Sequence, residues 1–137
     1  MPSQMAHVKL SLGNFKMYSL PQEIEVWYII PAIRKEFSKV LVKKHKLSYE
    51  KTGGILGISK AAVSQYLSNK RANKIKLTPD VKGEIAKSAK IILEKPNMAL
   101  GEIQRILKYM KDHKCSCEVC KKYNKDVINF CGCEPKY

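Results

Sequence analysis

The chain has 137 residues, enough for one compact body and a small appendage but too few for two full domains. Its 26 Lys and Arg against 12 Asp and Glu give a formal charge of +14 and a pI near 9.6, which favours a polyanionic partner. No stretch approaches the roughly 20 apolar residues of a membrane span, no signal-like apolar core opens the chain, and an odd, tight cluster of cysteines is no secreted disulfide framework; a soluble cytoplasmic protein is expected.

Residues 1–20 mix polarities around Gly13 and Asn14 and read as an arm to which no function is assigned. Beyond Pro21, the residues Ile24, Trp27, Ile30, Ile33, Phe37, Val40 and Leu41 recur every three or four positions, the period of a helix with one buried face. Pro31 should kink that helix or split it in two, since proline has no amide donor and its ring crowds the preceding turn. Trp27 and Tyr28 share the helical spacing and read as core or dimer interface rather than as platforms for stacking bases. Between Arg34 and Lys76 stand twelve Lys or Arg and two acids, Glu36 and Glu50, a stripe suited to phosphate.

Residues 47–70 have the grammar of two short helices about a tight turn. Ser48 opens the first, Gly57 permits a left-handed backbone at the turn, Ile58 plugs the space between the helices, and Ser59 caps the second by accepting from its orphan amides. Gly53 falls where the helices cross, a position that favours Ala or Gly. In the second helix Ala62, Val63, Tyr66 and Leu67 face inward. Its outer face carries Lys60, Ala61, Ser64, Gln65 and Ser68 within an arc of roughly 140°, small or amide side chains able to enter a major groove. Gln65 suits a bidentate contact to adenine, Ala61 a thymine methyl, and Ser64 a base edge or a phosphate. Lys70, Arg71, Lys74 and Lys76 follow and are placed to hold the DNA backbone.

Two more helices are predicted. Thr78 as N-cap, Pro79 in the first turn and Asp80 start one whose stripe is Val81, Ile85, Ala89 and Ile92, ending before Pro96. Asn97 is the expected cap of the next, with Leu100, Ile103, Ile106, Leu107 and Met110 inward. Residues 127–130 could be a helical turn or a short strand.

The five cysteines, Cys115, Cys117, Cys120, Cys131 and Cys133, all fall in the last 23 residues. Zinc takes four ligands and commonly uses Cys-x-x-Cys pairs, which Cys117 and Cys120 could begin and Cys131 and Cys133 complete. An iron–sulfur cluster, 4Fe-4S or 3Fe-4S, is held by three or four thiolates and tolerates Cys-x-Cys spacing because the ligands go to different irons. A metal-free thiol switch is the third reading. Lys114, Lys121 and Lys122 would offset thiolate charge, and His113 reads as solvent-facing at a helix end. The cluster is the preferred reading, zinc the alternative.

Leu47-Ser48, Leu56-Gly57-Ile58-Ser59 and Ala62-Val63-Ser64-Gln65-Tyr66-Leu67 resemble the lambda-repressor-like helix-turn-helix transcription regulators. Residues 21–34, Pro-Gln-Glu-Ile-Glu-Val-Trp-Tyr-Ile-Ile-Pro-Ala-Ile-Arg, resemble more narrowly a family of small, mostly archaeal predicted regulators with a cysteine-bearing C-terminus. The likeness covers residues 21–76 well, the following helices loosely and the tail only in its cysteines. Tyr49 stands where the wider family often has a Gln on the phosphate backbone, a role Tyr can fill by donating to phosphate. Thr52 replaces the usual aliphatic residue and predicts a looser or locally hydrogen-bonded contact. The resemblance implies a homodimer, repressor or activator, on palindromic double-stranded DNA with half-sites about 34 Å apart.

The expected organisation is all-α, about five helices with a small cysteine-rich metal-binding tail. It comprises an arm at 1–20, a helix-turn-helix domain at 21–77, a helical pair at 78–113 suited to dimerisation, and a metal or iron–sulfur module at 114–137. No phosphate-cradling glycine loop, nucleophile–base pair or paired catalytic carboxylates indicate an enzyme. The expected function is transcriptional regulation modulated by the cluster. The alternative is a DNA- or RNA-binding protein with a structural zinc tail.

Overall fold

The computed structural model describes residues 20–113, Lys74 excepted. The expectations for the arm, for Lys74 and for the cysteine module with its segment 127–130 fall outside the described residues. Five helices follow one another: α1 over 21–44, α2 Tyr49–Leu56, α3 Lys60–Leu67, α4 Pro79–Glu94 and α5 Ala99–Asp112, with a single 3-10 turn, Pro96–Met98, leading into α5. No strand occurs among the described residues, as the all-α expectation requires.

Pro31 does not split α1, whose helical residues run on through it. The turn Glu25–Ile29 immediately before it is π-helical, and the Ile30 amide reaches back five residues to the Glu25 carbonyl. A turn widened by one residue relieves the crowding that a proline ring imposes on a regular helix. It also changes which side chains are buried. The fully buried stripe is Ile24, Ile29, Ile33, Phe37 and Leu41, a step of five followed by steps of four. Ile29 therefore takes the place expected of Trp27 and Ile30, which are half-buried. A second π-helical turn, Val40–Lys44, closes the helix. The His45 amide donates to the Val40 carbonyl at 3.1 Å, and Lys46 leaves in the left-handed region with φ 61°. Lys43 and Lys44 sit at the negative end of the helix dipole.

Helices α4 and α5 pack on each other and on α1, and α2 also touches α5. Val81, Ile85, Ala89 and Ile92 of α4 meet Ile103, Ile106, Leu107 and Met110 of α5 and the α1 stripe in one apolar cluster. Three expectations need correction. Thr78 takes the N-cap position of α4 without bonding an orphan amide, and its hydroxyl instead serves the Asp80 carboxylate. Asn97 does not cap α5: Met98 holds that position, at the end of the 3-10 turn, and no side chain caps the helix. Leu100, expected inward, is 69% exposed in the first turn of α5, whereas Ala99 beside it is buried.

A polar cluster pins α5 to α4. The Arg105 guanidinium donates to Glu84 Oε1 at 2.8 Å, Ser88 Oγ at 2.6 Å and Glu102 Oε1 at 3.2 Å, and Ser88 Oγ donates to Glu102 Oε1 at 2.6 Å. Every charged member has a partner, which is what permits Glu102 and Ser88 to be buried. Beyond it the Tyr109 hydroxyl donates to Asp80 at 3.1 Å, and Lys111 pairs with Glu25 of α1 at 2.9 Å.

Candidate nucleic-acid interface

Helices α2 and α3 owe their limits to local chemistry. Ser48 and Ser59 both adopt extended backbone. Ser48 Oγ accepts from the Lys51 amide at 3.1 Å, and Ser59 Oγ accepts from the Ala62 amide at 3.0 Å. Gly57 ends α2 at φ 72°, and the Gly53 carbonyl accepts from the amides of both Gly57 and Ile58, the latter at 2.9 Å. The crossing at Gly53 is closer than the sequence indicated. A Cβ there would lie 2.6 Å from the Ile58 carbonyl oxygen, so Ala does not fit as Gly does. Ile58 is half-buried and packs against the main apolar cluster, the plug expected of it.

Behind α3, Ala62, Val63 and Tyr66 are buried, with Val63 fully so, and the helix rests on α1 and α2. Thr52 of α2 is fully buried too, and its hydroxyl has no hydrogen-bond partner. The contact is therefore not locally hydrogen-bonded, and the position carries an unpaired polar atom where an aliphatic side chain would carry none.

The outward face is as the periodicity predicts. Lys60, Ala61, Ser64 and Ser68 are exposed and Gln65 is half-buried at their margin. Ser59 is exposed but its hydroxyl is committed to the cap, and Ser68 Oγ donates to the Gln65 carbonyl at 3.3 Å. That leaves Lys60, Ala61, Ser64 and Gln65 as the side chains of α3 available to a ligand. Tyr49, at the first position of α2, is 38% exposed.

Past α3 the chain turns sharply: the Lys70 amide donates to the Gln65 carbonyl at 2.9 Å, and Asn69 and Ala72 both take left-handed backbone, φ 60° and 62°. Lys70 and Arg71 are exposed, and the Arg71 guanidinium carbon stands 5.9 Å from the Tyr66 ring centroid. Lys76 is exposed too. It lines a cleft against α1 with Lys35 and Lys39, and with Lys82 of α4. In that cleft burial, and after it the Lys39 ammonium, draws the Lys35 pKa below the ordinary lysine value, with Glu36 opposing. Sequence reasoning placed Lys76 among the residues that would hold a DNA backbone and did not single out Lys35, Lys39 and Lys82, whose cleft it shares. The spacing of Lys35 and Lys39, one turn apart on α1, was the available signal.

The five cysteines lie outside the described residues. His113, just before them, is exposed as expected, with its ring stacked on Tyr109 at a centroid distance of 4.0 Å. No helix among the described residues is long and apolar enough to cross a membrane. No protein-family model, curated protein or solved structure matches this chain.

Proposed function

We propose that the protein binds double-stranded DNA sequence-specifically, through the outer face of α3, and regulates transcription as a homodimer. The carrying observation is the α2–α3 unit: a glycine-limited crossing and two serine caps fix a short helix that presents Lys60, Ala61, Ser64 and Gln65 outward from a buried rear face. Short side chains at the groove-facing positions let a helix approach base edges, and Lys70 and Arg71 beyond its end supply phosphate contacts. The chain's +14 charge gives the non-specific attraction on which such recognition is built. The likeness to lambda-repressor-like regulators points the same way.

The donor set of the tail, five thiolates with three lysines among them, fits an iron–sulfur cluster and equally can supply the four ligands of zinc. The proposal takes the cluster as the modulator of operator binding, with Cys115, Cys117, Cys120, Cys131 and Cys133 as the candidate ligands. When bound, a cluster supplies redox chemistry and sensitivity to oxygen and iron supply. This chain's own contribution is α5, which leads directly into the tail and is fastened to α4 and α1.

Operator selection from a random duplex pool, followed by binding of Gln65→Ala, tests the reading of α3. The variant should lose about 1–3 kcal/mol of discrimination between operator and random DNA, with random-sequence binding unchanged. An equal loss on both would remove Gln65 from base recognition. For the tail, anaerobic purification with iron, sulfide and zinc analysis decides the metal. Iron and sulfide in a brown protein support the cluster, and one zinc per chain makes the tail structural. Identical operator affinity of apo and loaded protein would end the modulatory part of the proposal.

A further inference from the structure

The cleft between α1 and the α3–α4 linker is not absorbed by the DNA-binding reading. It is an open cleft of about 490 Å³, within the range of roughly 300–1,000 Å³ typical of small-molecule sites. Lys35 and Lys39 come from α1, Lys76 from the linker and Lys82 from α4, and among the described residues the only acid in the lining is Glu36. Among the described residues Lys39, Lys76 and Lys82 take part in no ion pair, and Lys35 donates to the Asn73 side-chain oxygen at 3.3 Å with the Glu36 carboxylate nearby. Burial and the neighbouring Lys39 ammonium both work against the charge of Lys35, and its pKa falls below the ordinary lysine value. The same lining includes the apolar Ala32, Ile75 and Leu77.

We propose that this cleft is a binding site for a small phosphorylated anion. The chemistry favours phosphate over carboxylate: the lining has lysines and no arginine, and lysine binds phosphate as a point charge, whereas planar carboxylate recognition relies on the arginine fork. The volume favours a molecule larger than one phosphate, with an apolar or sugar-like body against Ala32, Ile75 and Leu77 and its charged group among the four ammoniums. Asn69 and Asn73 add amide donors on the linker side. Filling the site would tie α1 to the linker that carries Lys70 and Arg71, which is how occupancy would reach the DNA surface. Only that last consequence rests on the DNA-binding reading; the anion site stands without it.

Titration of the full chain with inorganic pyrophosphate, by calorimetry and by amide chemical shifts, tests the site without DNA. One pyrophosphate per chain is expected, with shift changes concentrated at residues 32–39 and 69–77. The double variant Lys35→Gln, Lys39→Gln should bind at least tenfold more weakly, and Lys76→Gln, on an exposed position, should show a loss in the same direction. Lys87→Gln with Lys90→Gln removes the same charge from the outer face of α4 and should change affinity less than twofold. Equal losses in the two double variants, absence of saturable binding, or shifts confined to α3 would overturn the proposal. A parallel duplex titration separates the remaining case. If Lys35→Gln, Lys39→Gln weakens duplex binding while pyrophosphate does not bind the parent chain, the cleft is a DNA-backbone contact and the small-anion site is wrong.

Discussion

Two glycines of the α2–α3 unit are constrained for different reasons, and substitution distinguishes them. At Gly57 the surroundings are open and the backbone is left-handed, so Gly57→Ala should destabilise by about 1–2 kcal/mol, and Gly57→Asn by less. At Gly53 the backbone is ordinary helix and the obstacle is the Ile58 carbonyl; Gly53→Ala should cost about 1–3 kcal/mol by forcing the helices apart. Thermal melts of the three variants check this, and an Asn at 57 as harmful as an Ala would contradict it. Gly57, Ser48 and Ser59 were legible in the sequence because turns and caps are decided by neighbours within four residues. The exclusion of Ala at 53 was not, since it depends on a carbonyl oxygen across the crossing. The unpaired hydroxyl of Thr52 was equally invisible, because satisfaction depends on what the fold brings near.

Among elements, the cap of α3 should be separable from the rest of Ser59. Ser59→Ala removes the acceptor for the Ala62 amide and should cost about 1 kcal/mol, whereas Ser59→Gly should cost only a few tenths, because an open cap lets water replace the hydroxyl. The junction of α4 with α5 responds to pH. Hydrogen bonds from Arg105 and then Lys87 hold the Glu84 pKa below the ordinary value of 4.5, so the folded state gains from Glu84 above that value. This gain is lost as pH falls through the depressed folded pKa. Arg105→Gln should therefore lower the melting temperature at neutral pH and flatten its decline in acid; a parallel decline in both proteins would show that the pair is not coupled to folding. The helices themselves were legible from apolar spacing, but the phase within α1 was not. A fixed helical period cannot register an inserted π-helical residue, so Ile29 was passed over. The start of α5 was misread because Pro96 and Asn97 enter a 3-10 turn instead of a capped α-helix.

For the molecule as a whole, the proposed DNA binding is an electrostatic statement with a measurable slope. Lys70→Ala should weaken operator and random duplex alike and reduce the slope of log affinity against log salt by about one, while Lys90→Ala, an exposed cation on α4, should leave the slope unchanged. Equal slopes for both variants would make the basic surface diffuse. The candidate face on α3 could be read from the sequence because it is continuous in the chain. The lysine cleft could not, because Lys35 and Lys39 are brought to Lys76 and Lys82 only by the packing of α1 and α4 with the linker between them.

The fastening of α5 also has a mechanical meaning. Its last two turns are held on one side by Tyr109 to Asp80, at the start of α4, and on another by Lys111 to Glu25, near the start of α1. Both contacts lie close to the end of the helix, so the end of α5 is tied to the starts of α4 and α1 and not to one neighbour alone.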